Sequence, residues 1–120
     1  MVVIQKRSNV IPVDFGEFKI EFRANDKNIQ NMVTVGKELE KKSQELLDKK
    51  EDEQAFEVLR DLVKDSWTEL FDEEAYNKVY AFSDETTIDT MSYLLESINL
   101  VVSEFEKRNN GEALKKYLGD

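Results

Sequence analysis

The chain has 120 residues, of which 40% are apolar and 36% are charged, and its formal net charge is −9. It contains no cysteine and no histidine, so disulfides are excluded and metal sites built from thiolate and imidazole lose their preferred ligands. The absence of histidine also removes the commonest general acid and base, which argues against an enzyme. The length suits a single domain over residues 1–120 that buries a core of its own.

The N-terminal sequence MVVIQKRSNV has an apolar run too short for a secretion signal. No stretch approaches the roughly 20 apolar residues that a membrane-spanning helix needs. We therefore expect a cytoplasmic protein without a membrane partner.

Charge is distributed unevenly along the chain. Residues 1–50 carry ten basic and eight acidic residues, whereas residues 51–106 carry three basic against sixteen acidic residues, a balance of −13. This acidic half repels the phosphates of nucleic acids and attracts basic protein surfaces. We therefore expect no nucleic-acid partner.

The segment VIPVDFGEFKIEFR, residues 10–23, predicts a β-hairpin. Phe18, Ile20 and Phe22 alternate with charged residues, which is typical of a strand with one buried face. Pro12 indicates that the shorter first strand lies at an edge. Between the two runs, Asp14-Phe15-Gly16 predicts a tight turn in which Gly16 takes a positive φ.

Helical periodicity follows the hairpin, with apolar residues at steps of three and four. It predicts helices over 26–50, 54–71, 73–81 and 87–108, and a short terminal helix over 112–118. Gly36 weakens the first helix by about 1 kcal/mol relative to alanine, or allows a close helix contact. The apolar face of the second helix comprises Ala55, Phe56, Leu59, Leu62, Val63, Trp67, Leu70 and Phe71. The predicted fold class is α+β, mostly α: an N-terminal hairpin and a bundle of about four helices.

The sequence gives only weak evidence for residues arranged for catalysis or metal binding. The pairs Glu69/Glu73 and Asp61/Asp65 lie one helical turn apart, a spacing that is common on solvated helix surfaces. The segment DEEAYNKVYAFSD lacks the glycine and the final glutamate of a helix-loop-helix calcium site. We expect no catalytic residue, no metal site and no cofactor.

The segment SWTELFDEEAYNKVYAF, residues 66–82, places the only tryptophan and four further aromatic residues around three acids. Two interpretations are open: a hydrophobic junction of two helices in the core, or an exposed anchor for a partner, since Trp and Tyr are enriched at interface hot spots. The acids are explained by Asp72 as a helix N-cap, with Glu73 and Glu74 suited to the positive helix N-terminus. The predicted partner-binding residues are Trp67, Phe71, Tyr76, Tyr80 and Phe82.

Two motifs of the sequence resemble features of a known protein family. The N-terminal β segment contains a D-F-G-like turn at Val13-Asp14-Phe15-Gly16, and an all-helical body follows it. The stretch TELFDEEAYNKVYAF then precedes a polar loop and a long helix. This layout resembles the tail assembly chaperones of long-tailed bacteriophages, and the stretch is similar to a segment of that family that matches here at Leu70, Phe71, Lys78 and Val79.

The match has two departures. Tyr80 stands where the family usually has Phe, and Asp72 stands where it often has Gly. If the helix junction needs a positive φ, Asp72 adopts it at some cost.

The resemblance implies a non-enzymatic protein that coats the tape measure protein, keeps it soluble and recruits tail tube subunits. It implies action in the host cytoplasm and absence from the mature virion. Proteins of this kind are commonly made in a short and a frameshifted longer form, and the resemblance implies that this chain would be the short, non-frameshifted form.

An alternative function is an acidic phage-encoded inhibitor, or a nucleic-acid mimic that binds a basic host protein. For either function we expect a homo-oligomer. The long helix 26–50 and the hairpin edge offer surface that one small domain does not cover.

Overall fold

A computed structural model of the chain describes residues 1–49 and 52–109. The strands β1 (Val10–Asp14) and β2 (Lys19–Arg23) precede four helices, which are α1 (Asp26–Leu47), α2 (Glu53–Leu70), α3 (Glu73–Phe82) and α4 (Thr87–Arg108). An N-terminal antiparallel hairpin with four packed helices is a mostly helical α+β fold, so the predicted fold class is confirmed. The helix predicted over 112–118 lies outside the described residues.

The hairpin presents one apolar face to the helices. Ile11 lies opposite Phe22 and Val13 opposite Ile20, and all four side chains are buried. Their neighbours along each strand are exposed, except the half-buried Val10, because successive side chains of a strand alternate between the two faces.

The turn between the two strands depends on one glycine. Gly16 has a φ of +87° and donates its N–H to Asp14 Oδ1 at 2.7 Å. The predicted tight turn is therefore confirmed, and glycine supplies the positive φ that two-residue hairpin loops require.

Helix α1 is shorter than the predicted range 26–50. The Asp48 N–H still makes the α-helical bond to the Gln44 carbonyl at 3.2 Å, and the chain then tightens, because the Lys49 N–H donates to the Leu46 carbonyl, three residues back, at 3.0 Å. No apolar residue occurs from Asp48 to Gln54, so continuing the helix would bury nothing and gain little stability. The bounds of α2 differ from the prediction by one residue at each end, those of α3 differ by one residue at its C-terminal end, and those of α4 agree.

The core lies where α1, α2 and α4 meet, with the hairpin against α4 and with α3 against α2 and α4. At its centre are fully or almost fully buried side chains, namely Met32, Leu39, Val63, Trp67, Val79, Leu94 and Val101. The prediction that Phe56 belongs to the buried face of α2 is wrong, because its side chain is 55% exposed. Phe56 follows the buried Ala55 and is rotated from it by about 100° around the helix axis, away from the core.

Candidate functional site

The aromatic residues predicted to bind a partner lie in the core or at its margin. The Trp67 side chain is fully buried, and its Nε1–H donates to the Thr90 carbonyl at 2.9 Å, which ties α2 to α4. Tyr76 is also buried, whereas Phe71, Tyr80 and Phe82 are half-buried. Trp67 and Tyr76 therefore correspond to the core interpretation of this segment.

The buried position of Tyr76 affects its ionisation. Desolvation by burial is the largest cause that raises the pKa of Tyr76 above its ordinary value of 10.0, and the neighbouring Tyr80 raises it further. The two rings are stacked with centroids 5.5 Å apart. This stack lies along α3, and the raised pKa keeps the Tyr76 hydroxyl protonated at neutral pH.

The α2–α3 junction explains the acidic triplet. Asp72 has extended backbone, with φ −172°, and its Oδ1 accepts a hydrogen bond from the Ala75 N–H at 2.7 Å. It is therefore an ordinary N-cap, and no positive φ is needed at this position. Glu73 and Glu74 occupy the first turn of α3, where carboxylates interact favourably with the helix dipole.

Phe82 belongs to an aromatic cluster that joins the hairpin turn to the helices. Its ring packs edge-on against Phe15, Phe18 and Tyr93, with centroid distances between 5.4 and 5.7 Å. Sequence reasoning did not find this cluster. Periodicity shows which face of an element is apolar, but it does not show which faces meet.

A shallow groove of about 320 Å³ runs between α1 and α4. Its floor is apolar and consists of Val33, Gly36, Leu95, Ile98 and Val102, and its rim includes the charged residues Lys37, Glu40 and Glu106. A Cβ atom added at Gly36 would lie 3.4 Å from Ile98 Cδ1, which is ordinary van der Waals contact. Gly36 therefore lies against Ile98 of α4, but a side chain as small as alanine would fit there, so this helix contact does not depend on glycine.

The groove is suited to hold another polypeptide. An apolar floor between two helices, bordered by charges, accepts the apolar side of a helix or of an extended segment. The feature of the sequence that could have predicted this groove was the width of the apolar stripes on the two helices. Val33, Leu95 and Val102 extend the stripes of α1 and α4 sideways and remain half-buried.

The acidic residues considered as catalytic pairs lie on the surface. The acids Asp61, Asp65, Glu69 and Glu73 are all exposed, as their helical spacing indicated. Within residues 1–49 and 52–109 no three His, Cys, Asp or Glu side chains are placed to hold a metal ion. In the same part of the chain, no helix combines the length and apolarity needed to cross a bilayer.

No protein-family model, no curated protein and no solved structure matches this chain.

Proposed function

We propose that this protein is a phage tail assembly chaperone that binds and solubilises the tape measure protein and recruits tail tube subunits during tail morphogenesis. The observation that carries the proposal is the α1–α4 groove, with its apolar floor and charged rim. The sequence resemblance supplies the partner. A tape measure protein is long and helical with much apolar surface, and a helix with an apolar face is the ligand that such a groove accepts.

The residues shared with the chaperone family support the fold of this protein. Leu70 and Val79 are buried, and the Phe71 ring contacts Trp67 and Phe22 at centroid distances of 5.3 and 5.6 Å. The matching motif therefore maintains the junction of α2 and α3. We therefore assign contact with a partner to the α1–α4 groove.

Among the predicted partner-binding residues, Tyr80 and Phe82 are the ones with surface to offer on α3. Both are half-buried, so part of each residue is exposed. Trp67 and Tyr76 reach a partner only if the core opens.

The acidic surface suits a protein that keeps an aggregation-prone partner dispersed. On α2 the exposed carboxylates Glu57, Asp61, Asp65 and Glu69 follow one another at intervals of four residues. A tape measure protein coated with many copies of a chain of net charge −9 repels other such complexes. In this proposal the chaperone acts in the host cytoplasm and leaves before the virion is complete.

Co-expression with the tape measure protein of the same genome tests the proposal. We expect a several-fold increase in soluble tape measure protein and co-elution of the two proteins on size exclusion. Val102→Glu, which places a charge on the groove floor, should abolish both effects. Leu100→Glu is the matched control, because Leu100 lies on the same helix, is 56% exposed and does not line the groove. An unchanged soluble fraction with the wild-type chain would refute the chaperone function.

The acidic row on α2 is the observation that favours the alternative, an inhibitor that mimics nucleic acid. Positive side chains interrupt the row, since Arg60 and Lys64 lie beside it, and Lys64 Nζ is 3.9 Å from a Glu73 carboxylate oxygen. Neutralising the row with Asp61→Asn and Asp65→Asn separates the two functions. A mimic loses steeply salt-dependent binding to a basic protein, whereas a groove-binding chaperone retains its solubilising effect.

A further inference from the structure

The hairpin has two strands in the described residues, so each strand has one edge that pairs with no other strand. Hydrogen-bonded pairs alternate with non-hydrogen-bonded pairs along an antiparallel ladder. The bonds from the Ala24 N–H to the Asn9 carbonyl and from the Phe15 N–H to the Phe18 carbonyl fix this alternation. The residues whose backbone groups point outward therefore belong to the pairs Val10–Arg23, Pro12–Glu21 and Asp14–Lys19.

The edge of β1 is closed to a further strand. Pro12 has no N–H to donate. At Val10 the N–H donates to Ser8 Oγ at 3.3 Å, and the carbonyl accepts Arg108 Nη1 at 3.1 Å. A proline and satisfied backbone groups protect a sheet edge from pairing with another chain.

The edge of β2 is open at its centre. In the part of the chain that the structure describes, no hydrogen bond involves the outward N–H or carbonyl of Lys19 or Glu21. The strand is closed only at its end, where the Arg23 carbonyl accepts Asn28 Nδ2 at 2.9 Å. Unpaired backbone groups in a row form an edge to which another strand can add.

Space lies beside this edge. Two recesses of about 330 and 320 Å³ separate β2 from the junction of α2 and α3. The charged helix residues that line them are Glu69, Asp72, Glu74 and Lys78. Asp72 caps the Ala75 N–H, and Glu74 is 3.1 Å from Lys78 Nζ. This side of the edge is acidic overall, so an added strand has to bring positive charge to it.

We propose that β2 pairs with β2 of a second copy of the chain in antiparallel orientation, so that two hairpins form one continuous sheet across a two-fold axis. Dimers of identical chains are most often two-fold symmetric. The outward backbone groups of Lys19 then meet those of Glu21 of the second copy, and the symmetric pair is equivalent. Each is a hydrogen-bonded pair that exchanges two bonds. Ile20 of each copy lies opposite its counterpart at the axis.

The charges of the outer face select this register. Glu17, Lys19, Glu21 and Arg23 are exposed and alternate in sign. With Ile20 at the axis, Lys19 faces Glu21 of the second copy and Glu17 faces Arg23, so every charged pair attracts. A shift by two residues, which keeps the same faces inward, places either Lys19 opposite Lys19 or Glu21 opposite Glu21. The neighbouring registers are therefore repulsive, whereas the register centred on Ile20 is self-complementary.

The dimer should be weak. Its ladder is short, and Lys19 already has an opposite charge beside it within its own hairpin, at Asp14. Each copy also carries a net charge of −9, and like-charged molecules repel at long range. We therefore expect the dimer to be populated at high protein concentration and to dissociate on dilution.

Charge reversal tests the register by sedimentation velocity. Lys19→Glu or Glu21→Lys alone places like charges opposite each other and should weaken the dimer at least tenfold. An equimolar mixture of the two variants, and the double variant Lys19→Glu with Glu21→Lys, should each restore it. Lys42→Glu and Glu45→Lys are the matched controls, because both residues are exposed on α1 and line neither recess. A mixture that fails to restore the dimer would overturn the proposed register.

Amide hydrogen exchange followed by NMR tests the backbone bonds. Raising the protein concentration should slow exchange of the Lys19 and Glu21 amides several-fold, while the Asp14 amide, on the edge of β1, should be unchanged. Equal behaviour of the three amides, or a wild-type chain that is still monomeric at about 1 mM, would refute pairing through β2. That result would leave the chaperone function to its own test, because neither measurement contains a tape measure protein.

Discussion

Replacing the single tryptophan tests the assignment of Trp67 to the core. Its side chain is fully buried, and its indole N–H holds the Thr90 carbonyl of α4 at 2.9 Å. Trp67→Phe keeps an aromatic ring in place but removes the second ring and the hydrogen-bond donor. The change therefore measures how tightly α2 is packed against α4.

The expected loss of stability follows from three contributions. The smaller ring buries roughly 50 Å² less surface, which at about 25 cal/mol per Å² costs about 1.3 kcal/mol. The space left by the missing ring, roughly 40 Å³, adds about 1 kcal/mol. Loss of the hydrogen bond adds about 1 kcal/mol, so we expect a decrease of about 3 kcal/mol in the free energy of unfolding.

Urea denaturation followed by circular dichroism measures this decrease without depending on tryptophan fluorescence. Phe56→Leu is the control, because Phe56 is 55% exposed and should change stability by less than about 0.5 kcal/mol. In the wild-type chain, native fluorescence should be at short wavelength, as for an indole shielded from water. A cost below about 1 kcal/mol for Trp67→Phe would refute the packing described for α2 and α4.

Three further predictions concern two helix ends and one buried tyrosine. Asp72→Ala removes the cap on the Ala75 N–H and should cost about 1 kcal/mol in thermal or urea unfolding, whereas Asp72→Asn, which still accepts that bond, should cost only a few tenths. Glu85 has a positive φ of 58°, so Glu85→Gly should stabilise the chain by about 1 kcal/mol because glycine adopts this conformation without strain. An equal gain from Glu85→Ala would show that loss of the charge, and not relief of backbone strain, is responsible. The raised pKa of Tyr76 means that the unfolded chain loses this proton first as pH rises. Stability should therefore fall above about pH 10, less steeply in Tyr76→Phe, and parallel profiles would contradict the burial of this side chain.

Much of the fold was readable from local pattern. The alternation over 18–23 and the three-and-four spacing of apolar residues depend only on backbone geometry, so α4 was predicted over its whole length. The N-cap role of Asp72 was also predicted, because an acceptor before an apolar-periodic segment satisfies a free N–H whatever the rest of the chain does. The end of α1 was overestimated, since polar residues without apolar neighbours are compatible with a helix as well as with a turn.

The candidate binding surface could not be predicted from local sequence pattern. The sequence identified Trp67 as notable, yet its contact with Thr90 and its complete burial depend on how α2 and α4 pack. The groove likewise exists because α1 and α4 approach at Gly36 and Ile98 and leave Val102 half-covered. No periodicity contains that information, because it concerns two segments far apart in the chain.

The sequence by itself determined the hairpin, the helices, the apolar face of each and the acidic balance of residues 51–106, since these follow from the spacing and charge of neighbouring residues. Tertiary structure alone decided which apolar residues became core and which stayed at the surface. Phe56 and Trp67 lie on one predicted helix, and one is 55% exposed while the other is fully buried. The difference arises because burial requires a partner face, and only packing of the whole chain supplies one.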